Sequence, residues 1–166
     1  MSNGLKINIF VITLLFCLYQ FAHSSSDLIG KPAPEFSLPA VNKNETVHLN
    51  TFNGKVILID FWATWCAPCK KALPKLSLLQ NKYDEKIQVL AISVDDKKSS
   101  ALKFLNKYKI DLLSLHDTQK SVAEDYGVPA MPTLFIIDKK GILRYVYEGY
   151  TEADLPDIEN QIRKLL

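Results

Sequence analysis

Three things are scarce in this 166-residue chain, and each scarcity excludes something. Charge of one sign is scarce: 20 Lys and Arg face 18 Asp and Glu. That balance implies no basic stripe for a phosphate backbone and argues against nucleic acid as a partner. Short pairs such as Lys70-Lys71 and Lys97-Lys98 read as solvated surface. Long hydrophobic runs are scarce too. The most apolar stretch, Ile7 to Ala22, is short of the roughly 20 residues that a full bilayer span needs. Cysteine is the scarcest of the three, with only Cys17, Cys66 and Cys69. There is no internal repeat and no low-complexity stretch. What is present is ordinary globular material, 48% hydrophobic and 23% charged, of a length that suits one domain with a short appendage.

The appendage is the N-terminus. Lys6, the apolar stretch from Ile7 to Leu18, and the small residues Ala22 and Ser24 have the basic, greasy and small-residue order of a secretory signal. Residues 1–24 are therefore expected to be a signal peptide cut after Ser24, or else an N-terminal membrane anchor, with a buried N-terminal helix as the bland alternative. Cys17 makes a poor lipoprotein cysteine, because bulky Phe16 precedes it. Export removes Cys17 and leaves a single Cys-x-x-Cys. A purely structural bridge between such close cysteines would close a loop worth only about 2 kcal/mol of chain entropy. In an oxidising compartment the pair therefore reads as a working dithiol.

Along the rest of the chain, Pro32, Pro34 and Pro39 stiffen an entry that cannot be helical. Thr46-Val47-His48-Leu49 alternates as an edge strand would, ending in the Asn53-Gly54 turn. Val56 to Trp62 is almost continuously apolar, as a strand covered on both faces must be. Helix is expected from Cys66 to about Tyr83, kinked at Pro74, with Leu73, Leu76 and Leu79 inward. A second buried strand runs from Ile87 to Val94. Ser99-Ser100 is positioned to cap a helix through Tyr108, and His116-Asp117 falls in a loop before a short helix ending at Gly127. Thr133–Ile137 and Ile142–Tyr147 flank a turn closed by Gly141, and Asp154 can cap a last helix that tolerates Pro156 in its first turn. This order predicts an α/β domain with a mixed sheet sandwiched by helices.

The chemistry sits between the central strand and the first long helix, at Trp65-Cys66-Ala67-Pro68-Cys69. A cysteine at a helix start faces unsatisfied N–H groups and the positive end of the dipole, which stabilise its thiolate. Cys66 should attack a disulfide, and Cys69, one turn in, should resolve the mixed disulfide. Zinc needs four ligands, and His48 and His116 are far off in sequence, so neither a metal nor another cofactor is expected. Asp60 stands out as an acid inside an apolar strand, costly there unless neutral or partnered.

The run from Leu58 to Lys70, LIDFWATWCAPCK, resembles the active-site segment of the thioredoxin superfamily. Ile29 to Leu38, IGKPAPEFSL, and the helical insert of residues 97–127 resemble its TlpA/ResA-like extracytoplasmic branch. The resemblance spans residues 28–166 and implies a thioredoxin-like domain with an N-terminal extension and an extra helical insert. It implies a cis proline at Met131-Pro132-Thr133, with Trp65, Pro68, Met131 and Pro132 as the substrate-binding surface. It implies that Asp60 handles the proton of Cys69. Many members of the branch instead carry a Glu three residues after the second cysteine, where this chain has Ala72. The implied activity is an extracytoplasmic thiol:disulfide oxidoreductase, a reductant of protein disulfides in the periplasm or at the outer face of the cytoplasmic membrane. Apocytochrome c thiols are one implied substrate class and a membrane thiol donor the implied source of electrons, with an N-terminal tether possible. A peroxiredoxin-like peroxidase shares the entry motif, but its cysteine needs a Thr three residues earlier and a Pro seven earlier, where Ala63 and Ile59 stand. A copper-binding assembly factor of the same fold would carry a wider cysteine spacing and a distal His. A redox-inert binding module would not keep both cysteines.

Overall fold

A computed structural model describes residues 24–166. The readings made on residues 1–23, including the signal segment and Cys17, lie outside the described residues. Among the described residues, seven strands and four α-helices follow in order: β1 (Ser37–Pro39), β2 (Thr46–His48), β3 (Val56–Trp62), α1 (Ala67–Tyr83), β4 (Ile87–Ser93), α2 (Lys98–Tyr108), β5 (Leu113–His116), α3 (Ser121–Asp125), β6 (Thr133–Ile137), β7 (Leu143–Glu148) and α4 (Leu155–Leu165). β1 and β2 form a small antiparallel pair. The other five make one sheet in the order β5-β4-β3-β6-β7. β3, β4 and β5 are parallel, whereas β6 and β7 run antiparallel to their neighbours.

β3 is central, and every one of its residues is buried. Its alternation sends Phe61 to one face, against Tyr126 and Phe135 with ring centroids 5.6 and 5.8 Å away. Trp62 goes to the opposite face, where its ring lies 5.0 Å from that of Phe104 in α2. Asp60, two residues before Trp62, shares the Trp62 face. Helical elements thus cover both sides of the sheet, and the mixed α/β sandwich expected from the sequence is what forms.

α1 runs through Pro74 without ending, because Leu73, Leu76 and Leu79 remain buried on one side of it. At the far edge of the sheet, Gly30 N–H donates to the Leu143 carbonyl and Leu143 N–H to the Lys31 carbonyl, so the entry segment covers the start of β7. Three local expectations need correction. Ser99 and Ser100 lie inside the first turn of α2, whose N-cap is Lys97 with no side-chain bond. Asp154 is helical in backbone and caps nothing in α4. Its carboxylate accepts from the Thr151 N–H and hydroxyl and closes the 3-10 turn that leads into the helix. His116 ends strand β5 rather than sitting in a loop, because Ser114, Leu115 and His116 are buried beside β4.

Candidate active site

Cys66 and Cys69 form a disulfide with Cα atoms 5.3 Å apart. The strand-to-helix geometry explains where each sulfur lies. Cys66 has an extended backbone and is the N-cap of α1, and its Sγ accepts the Cys69 N–H at 3.2 Å. That bond is one of the four that a helix start leaves unmade, here satisfied by sulfur. Cys69 is fully buried and Cys66 is 4% exposed, so an incoming group reaches only Cys66. Both cysteines are thus nearly covered. The neighbouring Trp65 is 70% exposed and projects beside the pair.

The turn that carries Trp65 is tied from behind. Asp95, just past β4, accepts from Thr64 N–H at 3.1 and 3.2 Å through its two oxygens. It also accepts from the Thr64 hydroxyl at 2.7 Å and the Ser93 hydroxyl at 3.0 Å. The Asp95 carbonyl in turn receives the His116 Nε2–H at 2.7 Å. A carbonyl only accepts, so Nε2 carries the proton and Nδ1 accepts the Thr118 hydroxyl at 3.0 Å. Ser93, Asp95 and His116 are all buried.

Asp60 is different. It is fully buried, and the Tyr150 hydroxyl donates to its Oδ1 at 2.9 Å. Oδ2 has no partner among the described residues, and neither has the buried Trp62 Nε1 on the same face of β3. Burial pushes the Asp60 carboxyl up to about 8, and the Tyr150 bond pulls the other way. Burial, and then the nearby Asp60, hold the Tyr150 phenol well above its usual range, so it stays a donor.

The Met131–Pro132 bond is cis. Phe61 pairs with Thr133 in the β3–β6 register, which sets Pro132 beside the end of β3 and hence beside the active-site turn. Pro132 is buried and Met131 half-buried. Cys66, Cys69, Trp65 and Pro68 therefore share one turn, Met131 and Pro132 border it, and Asp60 lies on the strand that feeds it. Ala72 is buried in α1 and offers no acid. Sequence reasoning missed Tyr150, Thr64, Asp95 and His116. For Asp95 a signal existed, an acid at the end of a buried strand; for Tyr150 there was none, because its partner is 90 residues away.

A cysteine pair closing a helix start beside a cis proline, on a mixed sheet of this topology, defines a class: thiol:disulfide oxidoreductases of thioredoxin fold. The AhpC/TSA family matches residues 29–146. The thiol-disulfide oxidoreductase ResA of Bacillus thuringiensis (strain Al Hakam) is 30% identical over 99% of this chain and 98% of its own. The thioredoxin-like protein YneN of Bacillus subtilis (strain 168) is 34% identical over 72% of this chain and 71% of its own. A solved structure from Chlorobium tepidum, described as a thiol:disulfide interchange protein DsbE, superposes with a TM-score of 0.79 at 36% identity. It covers 82% of this chain and 96% of its own. The chain belongs to the AhpC/TSA family, and within it is a ResA- and DsbE-like thiol:disulfide oxidoreductase. Among the described residues no three His, Cys, Asp or Glu side chains gather as a metal site, and no helix is long and apolar enough to cross a membrane.

Proposed function

We propose that this oxidoreductase reduces disulfides in exported proteins, with Cys66 as the attacking thiol and Cys69 as the resolver. The observation that carries the assignment is the difference in access: Cys69 is fully buried, while Cys66 keeps the pair's only exposed surface and caps α1. The Cys66 thiolate attacks one sulfur of a substrate disulfide. The other substrate sulfur leaves as a thiolate, and a mixed disulfide forms. Cys69 then loses its proton, attacks Cys66 Sγ and expels the second substrate thiolate. Two electrons pass from the enzyme dithiol to the substrate, which ends as a dithiol after taking up two protons.

Asp60 is the group that takes the Cys69 proton in this reading. A carboxyl titrating at about 8 is partly ionised at neutral pH and basic enough to compete for a thiol proton. Trp65, Pro68, Met131 and Pro132 border the exposed edge of Cys66 and form the surface on which an extended substrate segment lies. Residues 1–24 are assigned as the export signal or tether, residues 28–166 as the catalytic domain, and the working place is outside the cytoplasm. Disulfides formed between apocytochrome c haem-site cysteines are one substrate class, and a membrane thiol donor re-reduces the pair.

Cells carrying Cys69→Ala test this. The variant is expected to accumulate mixed disulfides with exported proteins through Cys66, and Cys66→Ala to trap none. Equal trapping by both variants, or capture of cytoplasmic proteins only, would overturn the proposal.

A further inference from the structure

We infer that Tyr150 is a positioning residue for Asp60: its hydroxyl holds Oδ1 and thereby leaves Oδ2 as the oxygen that exchanges a proton with the resolving thiol. The inference rests on the role given to Asp60 above. A phenol has one proton to donate, and Tyr150 directs it to Oδ1 at 2.9 Å with both side chains buried. Because Oδ1 is held as an acceptor, the proton of neutral Asp60 belongs on Oδ2, the oxygen without a partner among the described residues. Without Tyr150 the two oxygens would be equivalent, and the carboxyl could turn its proton either way.

The placement of Tyr150 is constrained from both sides. Gly149 before it has φ 61° and donates its N–H to the Pro132 carbonyl at 2.7 Å. Thr151 after it forms the capping box with Asp154. The backbone is thus pinned one residue away on each side, and the hydroxyl has little freedom to leave Oδ1.

The same bond tunes the acid. A hydrogen bond to the ionised form favours ionisation and opposes the effect of burial. The positions opposite Asp60 on the neighbouring strands are Ala91 in β4 and Leu134 in β6, both apolar. With Cys66 and Cys69 joined and unable to titrate, burial and Tyr150 are the influences that set Asp60 in the oxidised protein. Removing the hydroxyl should make Asp60 hold its proton to higher pH, by roughly one pH unit for one charge-assisted hydrogen bond. At neutral pH that leaves about ten-fold less of the ionised acid, and resolution by Cys69 slows by the same factor.

Carbon-13 NMR of the carboxyl groups in the oxidised protein, with Asp60→Asn to assign the resonance, reads the titration directly. Tyr150→Phe is expected to move the Asp60 inflection up by about one pH unit. The pH profile of single-turnover resolution should move with it, and Cys66 alkylation should not change. In the unsubstituted protein the Tyr150 Cζ shift should inflect at the same pH as Asp60, a reading that survives if Tyr150→Phe fails to fold. An unmoved Asp60 titration in Tyr150→Phe, or a flat Cζ, overturns the role of Tyr150 even while Asp60→Asn still slows resolution. A resolution profile identical in Asp60→Asn and the parent overturns the acid role itself, and with it any effect of Tyr150 on exchange.

Discussion

Two buried aspartates flank the active-site turn, and the protein treats them in opposite ways. Asp95 sits behind the turn and accepts from Thr64 N–H, the Thr64 hydroxyl and the Ser93 hydroxyl. Asp60 lies in the strand that feeds the turn and accepts one bond, from Tyr150, with Oδ2 left over. A buried polar group that is fully satisfied rigidifies its surroundings, whereas one that is half satisfied is costly and chemically available. Asp95 therefore holds the loop that leads to Cys66, and Asp60 is left under-bonded, as the proton transfer proposed for it requires.

The largest effect should come from emptying the Asp95 position. Asp95→Ala leaves three donors without their acceptor and is expected to destabilise the fold by about 3 kcal/mol in denaturant melts at neutral pH. A loss well below 1 kcal/mol would remove the distinction between the two acids.

Next comes Asp60→Asn, which should slow resolution of the mixed disulfide on the order of 10²-fold, the lower range for a positioned acid or base. Single-turnover exchange checks it, and Cys66 alkylation should be unaffected.

The same substitution should stabilise the protein, in contrast with Asp95→Ala, and the gain should depend on pH. Below about pH 4 the folded and unfolded chains both keep the Asp60 proton. Between there and about pH 8 the unfolded chain has released it while the folded chain holds it, so the parent loses stability as pH rises. Asp60→Asn escapes that loss. Its advantage in melts should widen steadily through this window and level off above it. A constant difference across the window would mean that Asp60 is not the titrating group.

His116→Gln should cost about 1 kcal/mol, since it disturbs the bonds to the Asp95 carbonyl and the Thr118 hydroxyl and leaves the Asp95 carboxylate in place. The smallest effect is Trp65→Ala. With 70% of its surface exposed, the indole contributes within about 0.5 kcal/mol to stability, so any loss of exchange with protein substrates measures contact rather than folding.

These two acids also mark how far the sequence could be read. β3 and β6 were legible to the residue, because strands buried on both faces leave continuous apolar runs. The Cys66–Cys69 pair and its place at a helix start were legible from spacing, and Asp60 from its violation of the pattern around it. Tyr150 was not: nothing local distinguishes a tyrosine in a turn after β7, and only the tertiary fold brings it to residue 60. β5 was missed for a related reason, since Leu113–His116 is too short to show a period and takes its burial from β4 and from the bridge between Ala40 and Leu115. The helix starts at Lys98 and Leu155 were misread because serine and aspartate near a start look alike whether they cap it or stand one turn away.

The entry segment has a bearing on how the domain faces its surroundings. It lies along β7 from end to end: Gly30 and Lys31 pair at Leu143, while the Ser25 hydroxyl donates to Glu148. Glu148 is in register with Thr133, and Thr133 with Phe61, so Ser25 marks the end of the sheet that carries the disulfide. The described chain therefore begins at that end. A retained anchor would act as a short leash and turn Cys66 toward the lipid surface, within easy reach of a membrane donor and awkward for bulky soluble targets. Lengthening the chain just before Ser24 should reverse that bias, favouring soluble disulfides over the membrane donor; unchanged partition would show that the leash sets no orientation.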